Sequence, residues 1–236
     1  MTDDVARTAA EDEAAGGSDI EPAAEIETSP ETETPPVVET ETSPADETPT
    51  EDVPLPAEPT GPRTVARLVA DALRMAGVRY AFTVPGESFL GLLEALDEVG
   101  IRVVATRHEG GAAFMAEAHG NLTGRPAACI GTRAVGAANL AIGIHTARQD
   151  STPMFALVGQ VERAHRGHEA FQEIDQVGTI GGLAKWAAEP TDAADVATIL
   201  GEALRQVSGG RPGPVLLSLP EDLLDEPVPA DARVVA

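Results

Sequence analysis

Val103-Val104-Ala105-Thr106-Arg107-His108-Glu109-Gly110-Gly111-Ala112-Ala113-Phe114-Met115-Ala116 is the stretch on which the fold turns. A short apolar run, which reads as a buried strand, passes into a helix opened by small residues. Glu109 therefore falls at a strand-to-helix junction, in the first turn of the helix. In an open α/β sheet, ligands bind just outside the carboxyl ends of the strands, so Glu109 is a candidate functional acid. A first-turn carboxylate also complements the helix dipole with no further role, and the stretch alone leaves both readings open.

The same alternation extends in both directions. Upstream, Val65, Leu68, Val69, Ala72 and Leu73 recur at three- and four-residue spacing, one face of a helix, with Thr64 as its N-cap and Gly77 as its C-cap. Tyr80 to Val84 reads as a strand, and Pro85-Gly86-Glu87-Ser88 as the turn after it. Ser88 is then expected to cap a helix from Phe89 to Val99, with Leu90, Leu93, Ala95 and Leu96 inward and Gly100 closing it. Downstream, Pro126–Gly131 and Pro153–Val158 read as strands, Thr132–Gly136 as a turn, and about Ala137 to Gln149 as a helix. Residues 161–182 read as a polar loop with a short helix near Ile174. Lys185–Ala187 reads as a short strand, Asp192–Val207 as an amphipathic helix stopped by Gly209-Gly210, Pro214–Leu219 as the last strand, and Pro220 onward as a tail. Strand and helix at this spacing predict a three-layer, doubly wound parallel α/β sheet with helices on both faces. Its near-continuous apolar strands are those of a sheet covered on both sides. The loops at the strand carboxyl ends then hold Pro85–Ser88, Arg107–Glu109, Thr132–Gly136 and Gly159–Gln160.

Charge divides the chain unevenly. Residues 1–60 carry 18 acids against one base, Arg7, whereas the remaining 176 carry 21 acids and 15 bases, so most of the net −23 belongs to the first segment. That segment has nine prolines, no aromatic residue, and near-repeats such as Glu27-Thr28-Ser29-Pro30 and Glu41-Thr42-Ser43-Pro44. Such a sequence buries too little apolar surface to offset its ordering entropy. It reads as a disordered acidic leader over 1–60, ahead of a domain over 61–225 and a tail over 226–236. No basic apolar signal and no run of 18 apolar residues is present, and a cytoplasmic chain with no membrane or nucleic-acid partner is expected. The single Cys129 lies in an apolar run and is expected to be inert core.

Several familiar chemistries lack their residues. There is no Gly-x-Gly-x-x-Gly after the first strand, no Walker-type Gly-Lys-Ser/Thr, no Gly-x-Ser-x-Gly elbow, and no Cys/His set with zinc spacing. His145 reads as a satisfied or surface side chain. His165 and His168, in a loop with Arg163 and Arg166, read either as contacts for an anionic substrate or as a solvated loop.

Taken together, the loop sequences resemble a known family over residues 63–220. The pieces, in order, are Val84-Pro85-Gly86, Arg107-His108-Glu109-x-x-Ala112-Ala113-x-Met115-Ala116, and Gly136-Ala137-Ala138-Asn139-Leu140. Asp150-Ser151-x-Pro153-Met154, Gly159-Gln160-Val161 and Phe171-Gln172-Glu173 follow. This resembles the N-terminal, pyrimidine-binding domain of thiamine diphosphate-dependent enzymes, in the acetolactate synthase-like group, and implies a flavodoxin-like pyrimidine domain. The resemblance implies that Glu109 hydrogen-bonds N1′ of the cofactor's aminopyrimidine and so promotes proton loss at the thiazolium C2, for 2-keto acid decarboxylation or carboligation. It also implies that Pro85, Gly86, Ala112 and Ala113 help to bind the cofactor. Arg133, Gln160, Phe171 and Gln172 would lie at the substrate end. The group's usual Ser-Gly-Pro-Gly turn is replaced by Arg133-Ala134-Val135-Gly136, which puts the substrate in doubt. The Gly-Asp-Gly…Asn signature that holds the diphosphate through a divalent metal is absent from the sequence. The resemblance therefore implies only the pyrimidine half of a site, with Mg2+ and the diphosphate held by a diphosphate-binding domain on another chain, in a homo- or hetero-oligomer. The helices from Glu109 and from Ala137, both rich in small residues, are expected dimer faces. The alternatives are a subunit of a split sulfopyruvate- or phosphonopyruvate-type decarboxylase, or a truncated non-catalytic binding domain.

Overall fold

Thr64 starts the first element: its hydroxyl accepts a hydrogen bond from Arg67 N at 3.3 Å and caps α1 (Val65–Met75). The expected face of α1 is the buried one, with Val65, Leu68, Val69, Ala72 and Leu73 all shielded, and Gly77 turns the chain at φ +86°. In the computed structural model, residues 63–229 and 231–235 are described. The expected leader over 1–60 lies outside the described residues.

The chain continues through β1 (Tyr80–Thr83), α2 (Leu90–Glu98), β2 (Arg102–Ala105), α3 (Glu109–Thr123), β3 (Ala127–Thr132), α4 (Arg133–Asp150) and β4 (Met154–Gln160). It then forms α5 (Gln176–Thr179), β5 (Trp186–Ala188), α6 (Ala193–Ser208), β6 (Pro214–Pro220) and α7 (Glu221–Leu224). The six strands form one all-parallel sheet in the order β2-β1-β3-β4-β6-β5. The winding direction reverses between β1 and β3, which places the switch-point crevice at their carboxyl ends.

Successive strand residues face opposite layers. Ala128, Ile130, Phe155, Leu157, Val215 and Leu217 join one core with α1, α2 and α6. Ala127, Cys129, Met154, Ala156, Val158 and Leu216 join the other with α3 and α4. This is the expected three-layer sheet. The central strands β4 and β6 are buried along their whole length, whereas the edge strands β2 and β5 are only partly shielded. The unbroken apolar pattern therefore belongs to the middle of the sheet.

Four local expectations are corrected. Ser88 does not cap α2: the segment Glu87–Phe89 forms a 3-10 turn, and the Ser88 hydroxyl is buried against Thr132 Oγ1 at 2.7 Å. That tighter turn sets the phase of α2, so Leu92, Ala95 and Leu96 face inward and Leu90 is exposed. The expected turn over Thr132–Gly136 is absent, because β3 runs through Thr132 and α4 begins at Arg133, which takes φ +45° at the junction. Finally, the chain beyond Pro220 is not a loose tail: α7 buries Leu223 and Leu224, and Val65 N and Val228 N donate to Glu226 O and Arg63 O, each at 2.9 Å.

Candidate active site at the carboxyl edge of the sheet

Glu109 opens α3, directly beyond β2. His108 caps the helix, its Nδ1 accepting from Gly110 N at 3.0 Å. The Glu109 side chain is only 7% exposed. Its Oε2 accepts a hydrogen bond from Asn139 Nδ2, on α4, at 2.9 Å. Its Oε1 accepts no hydrogen bond from the described residues and is not among the atoms sealed from solvent. The carboxylate is thus held on one oxygen and open on the other. A side chain added at Gly111, on a different face of α3, would meet open space.

The turn after β1 is clamped to the end of β3, across the switch point. Thr83 Oγ1 donates to Ile130 O at 3.0 Å, and Ser88 bonds Thr132. Gly86 leaves no room for a larger residue, since a Cβ there would lie 2.8 Å from Thr132 Cβ. Pro85, next to it, is exposed. Ala112 and Ala113 are fully buried, and Ala113 packs on Gly143 of α4 so closely that a Cβ on that glycine would lie 2.4 Å from the Ala113 Cβ. The structure thus places these alanines in the α3–α4 packing behind Glu109.

A separate cleft of about 350 Å³ opens between Arg133, Phe171, His165, Glu87, Glu162 and Glu221. Arg133 donates to Glu87 Oε1 and to Glu221 Oε2, each at 3.0 Å, while its buried Nε has no partner among the described residues. Phe171 projects into solvent, 72% exposed. Gln160 is turned inward: its Nε2 donates to Ile174 O and its Oε1 accepts from Val161 N, both at 2.9 Å. Gln172 sits at φ +61°, and its carbonyl accepts from Ala134 N at 3.0 Å, which ties the loop to the start of α4. Arg133 and Phe171 therefore share the cleft. Glu109 does not line it.

The histidine loop is tied down. Arg163 is paired with Asp222 and Glu226, and Arg166 with Glu189 and Glu173. Glu173 also accepts from Gly167 N and Ala170 N, and the first of these bonds is the main cause of its lowered pKa. His145, His165 and His168 are exposed. The cations of this loop are already matched by carboxylates, so the loop reads as structural. Sequence reasoning missed the Asn139 bond and the two carboxylates on Arg133. Asn139 stood in a recognised motif, but nothing in a linear sequence says which side chain thirty residues away it meets.

The model of the thiamine pyrophosphate enzyme N-terminal TPP binding domain matches residues 63–179. The chain belongs to this family. Its matches include the catabolic acetolactate synthase of Raoultella terrigena, 36% identical over 162 residues, 69% of this chain and 29% of that one. The acetolactate synthase of Bacillus subtilis (strain 168) is 36% identical over 161 residues, 68% of this chain and 28% of that enzyme. The acetolactate synthase large subunit of Parasynechococcus marenigrum (strain WH8102) is 37% identical over 171 residues, 70% of this chain and 28% of that protein. The chain thus spans less than a third of the length of these relatives, and as a member of the thiamine pyrophosphate enzymes it presents their N-terminal domain. A buried acid with one oxygen free of hydrogen bonds from the described residues, and a fixed turn across the switch point, fit that cofactor. No helix among the described residues is long and apolar enough to cross a membrane.

Proposed function

We propose that this domain binds the pyrimidine half of thiamine diphosphate and serves an acetolactate synthase-like 2-keto acid decarboxylase or carboligase, completed by a diphosphate-binding chain. The observation that supports this most is Glu109, shielded from water, with Oε2 held by Asn139 and Oε1 free. Thiamine diphosphate, when bound, supplies the electron sink for decarboxylation. The chain's own part is to receive and hold a proton at Oε1, next to a ring nitrogen, in a setting that excludes bulk water. Pro85 and Gly86 flank the ring by way of the rigid turn after β1. Ala112 and Ala113 act by letting α3 and α4 approach and carry Glu109. Arg133 and Phe171 lie at the substrate end; Gln160 and Gln172 act by fixing the loop that carries Phe171. The diphosphate and its Mg2+ fall to the partner chain, and the assembly is cytoplasmic.

The cleft also bears on substrate. Its one guanidinium already faces two carboxylates, with Glu162 beside them. That balance favours a small 2-keto acid over the sulfonate or phosphonate of the split decarboxylases. The test is Glu109→Gln in complex with a chain that carries the Gly-Asp-Gly…Asn signature. Cofactor should still bind, while C2–H exchange falls by about 10²-fold or more. Exchange at the unmodified rate would falsify the assignment.

A further inference from the structure

We infer that Asn139 is the positioning residue for Glu109, fixing Oε2 so that Oε1 is the oxygen presented to a ligand. The inference rests on the role proposed above for Glu109. A carboxylate's last torsion is broad and roughly two-fold, so an unrestrained Glu109 would offer either oxygen and a range of tilts. The Asn139 amide, 2.9 Å away, removes that freedom. A bond to an ionised acceptor is also about twice as strong as one between neutral groups.

The backbone dictates this contact. Glu109 and Asn139 lie on α3 and α4, and the helices meet through Gly143 and Ala113 at a distance that admits no further methyl group. Gly110 continues the seam, since a Cβ there would lie 3.4 Å from Asn139 O. Asn139 is thus carried to Glu109 by the close approach of two helices rather than by a flexible loop.

No other charged group takes this part among the described residues. His108 Nδ1 is committed to Gly110 N, and Arg133, at the start of α4, is paired with Glu87 and Glu221. The strands beneath contribute only Tyr80, which packs against His119, and Cys129, whose thiol burial pushes up to about 12. An amide is the apt donor here because it orients the acid without adding a charge. A lysine or arginine in its place would hold the carboxylate ionised and oppose proton uptake at Oε1.

The test uses the full chain, labelled with 13C at glutamate carboxyls and 15N at asparagine amides, with Glu109→Gln to assign the acid. Glu109→Gln should move the Asn139 side-chain amide resonance at a fixed pH, because the two groups share a hydrogen bond. In Asn139→Leu, which removes the donor and keeps the volume, the Glu109 carboxyl resonance should move and broaden as its last torsion is freed. A merely structural Asn139 would change stability and leave the Glu109 resonance in place. With thiamine diphosphate and the partner chain present, Asn139→Leu should slow C2–H exchange by about 10-fold while the cofactor's Kd stays within about threefold. An Asn139 amide resonance that Glu109→Gln leaves in place overturns the inference, and this measurement needs no variant of Asn139. The two claims fail separately. Exchange that survives Glu109→Gln removes the role of Glu109 and leaves the hydrogen bond intact. Exchange lost in Glu109→Gln, with both readouts unchanged in Asn139→Leu, removes Asn139 alone.

Discussion

Under α1, α2 and α6 the sheet is covered by bulk: Leu68, Leu73, Phe89, Leu92 and Leu96 are all almost wholly buried. Under α3 and α4 it is covered by Leu140 and Ile144 of α4 and by a run of small residues, Ala112, Ala113, Ala116, Ala137 and Ala147, with Gly143 at the seam. The first face draws its stability from apolar area removed from water. The second adds backbone proximity to the area buried by Leu140 and Ile144, since its alanines and glycines carry little area themselves but let α3 and α4 approach. The difference separates two tasks. Large side chains adjust through rotamer changes, so the first face can relax around a defect. Helices in near-backbone contact cannot, so the second face holds its side chains at fixed separations, and it is the face that carries Glu109 and Asn139.

The contrast can be broken from either side. The largest loss is expected from Phe89→Ala on the bulky face, a cavity costing about 3–5 kcal/mol in urea unfolding. A cost below about 1 kcal/mol would mean that this face is not packed by volume. On the other face the damaging change is an addition. Gly143→Ala drives a methyl group to 2.4 Å from the Ala113 Cβ, and about 1–3 kcal/mol should be lost as the helices part. That variant should also loosen the Asn139 amide resonance, which Phe89→Ala should leave alone. A neutral Gly143→Ala would erase the distinction between the faces.

Smaller effects sharpen it further. Thr64→Ala removes the cap of α1, and about 1 kcal/mol should go with it by the same assay. His119, on α3 and packed edge-on against Tyr80 of β1, has its pKa lowered, first by burial and then by Arg125 and Arg79. The unfolded chain therefore binds this proton more readily than the folded one. Its contribution is fully present above the ordinary histidine value near 6.5 and is lost as pH falls through the lower folded value. A His119→Gln variant should show a flatter stability profile from about pH 7 downward, and an unchanged profile would show that the ring does not titrate on unfolding. Least of all, Leu122→Ser should change stability by no more than about 0.5 kcal/mol, because that side chain is 84% exposed.

Much of this was legible in the sequence, for identifiable reasons. Periodicity marked α1 and α6, and apolar runs marked β3, β4 and β6, because a strand covered on both sides must be apolar throughout. The place of Glu109 at the start of α3 was legible because an apolar strand gives way there to a small-residue helix. What escaped depended on contacts distant along the chain. Ser88 has the chemistry of a cap, and only the arrival of Thr132 from β3 draws it elsewhere. The start of α4 was obscured because Arg133 adopts a backbone conformation usually left to glycine, and Glu87 and Glu221 hold it there from two other segments. Leu90 was misplaced because the chain is only just leaving a 3-10 turn there, whereas Ala95 and Leu96, further along α2, face inward as expected.

Cys129, at the centre of β3, has a practical consequence. It is the single cysteine of the chain, fully buried, and its thiol ionises only near about 12. Around neutral pH it offers no thiolate to an alkylating reagent. A cysteine installed at an exposed position such as Leu122 or Phe171 would then be the one site that takes a dye or spin label. Probes could be placed on the outer side of α3 or beside the cleft without first stripping the core of its own sulfur.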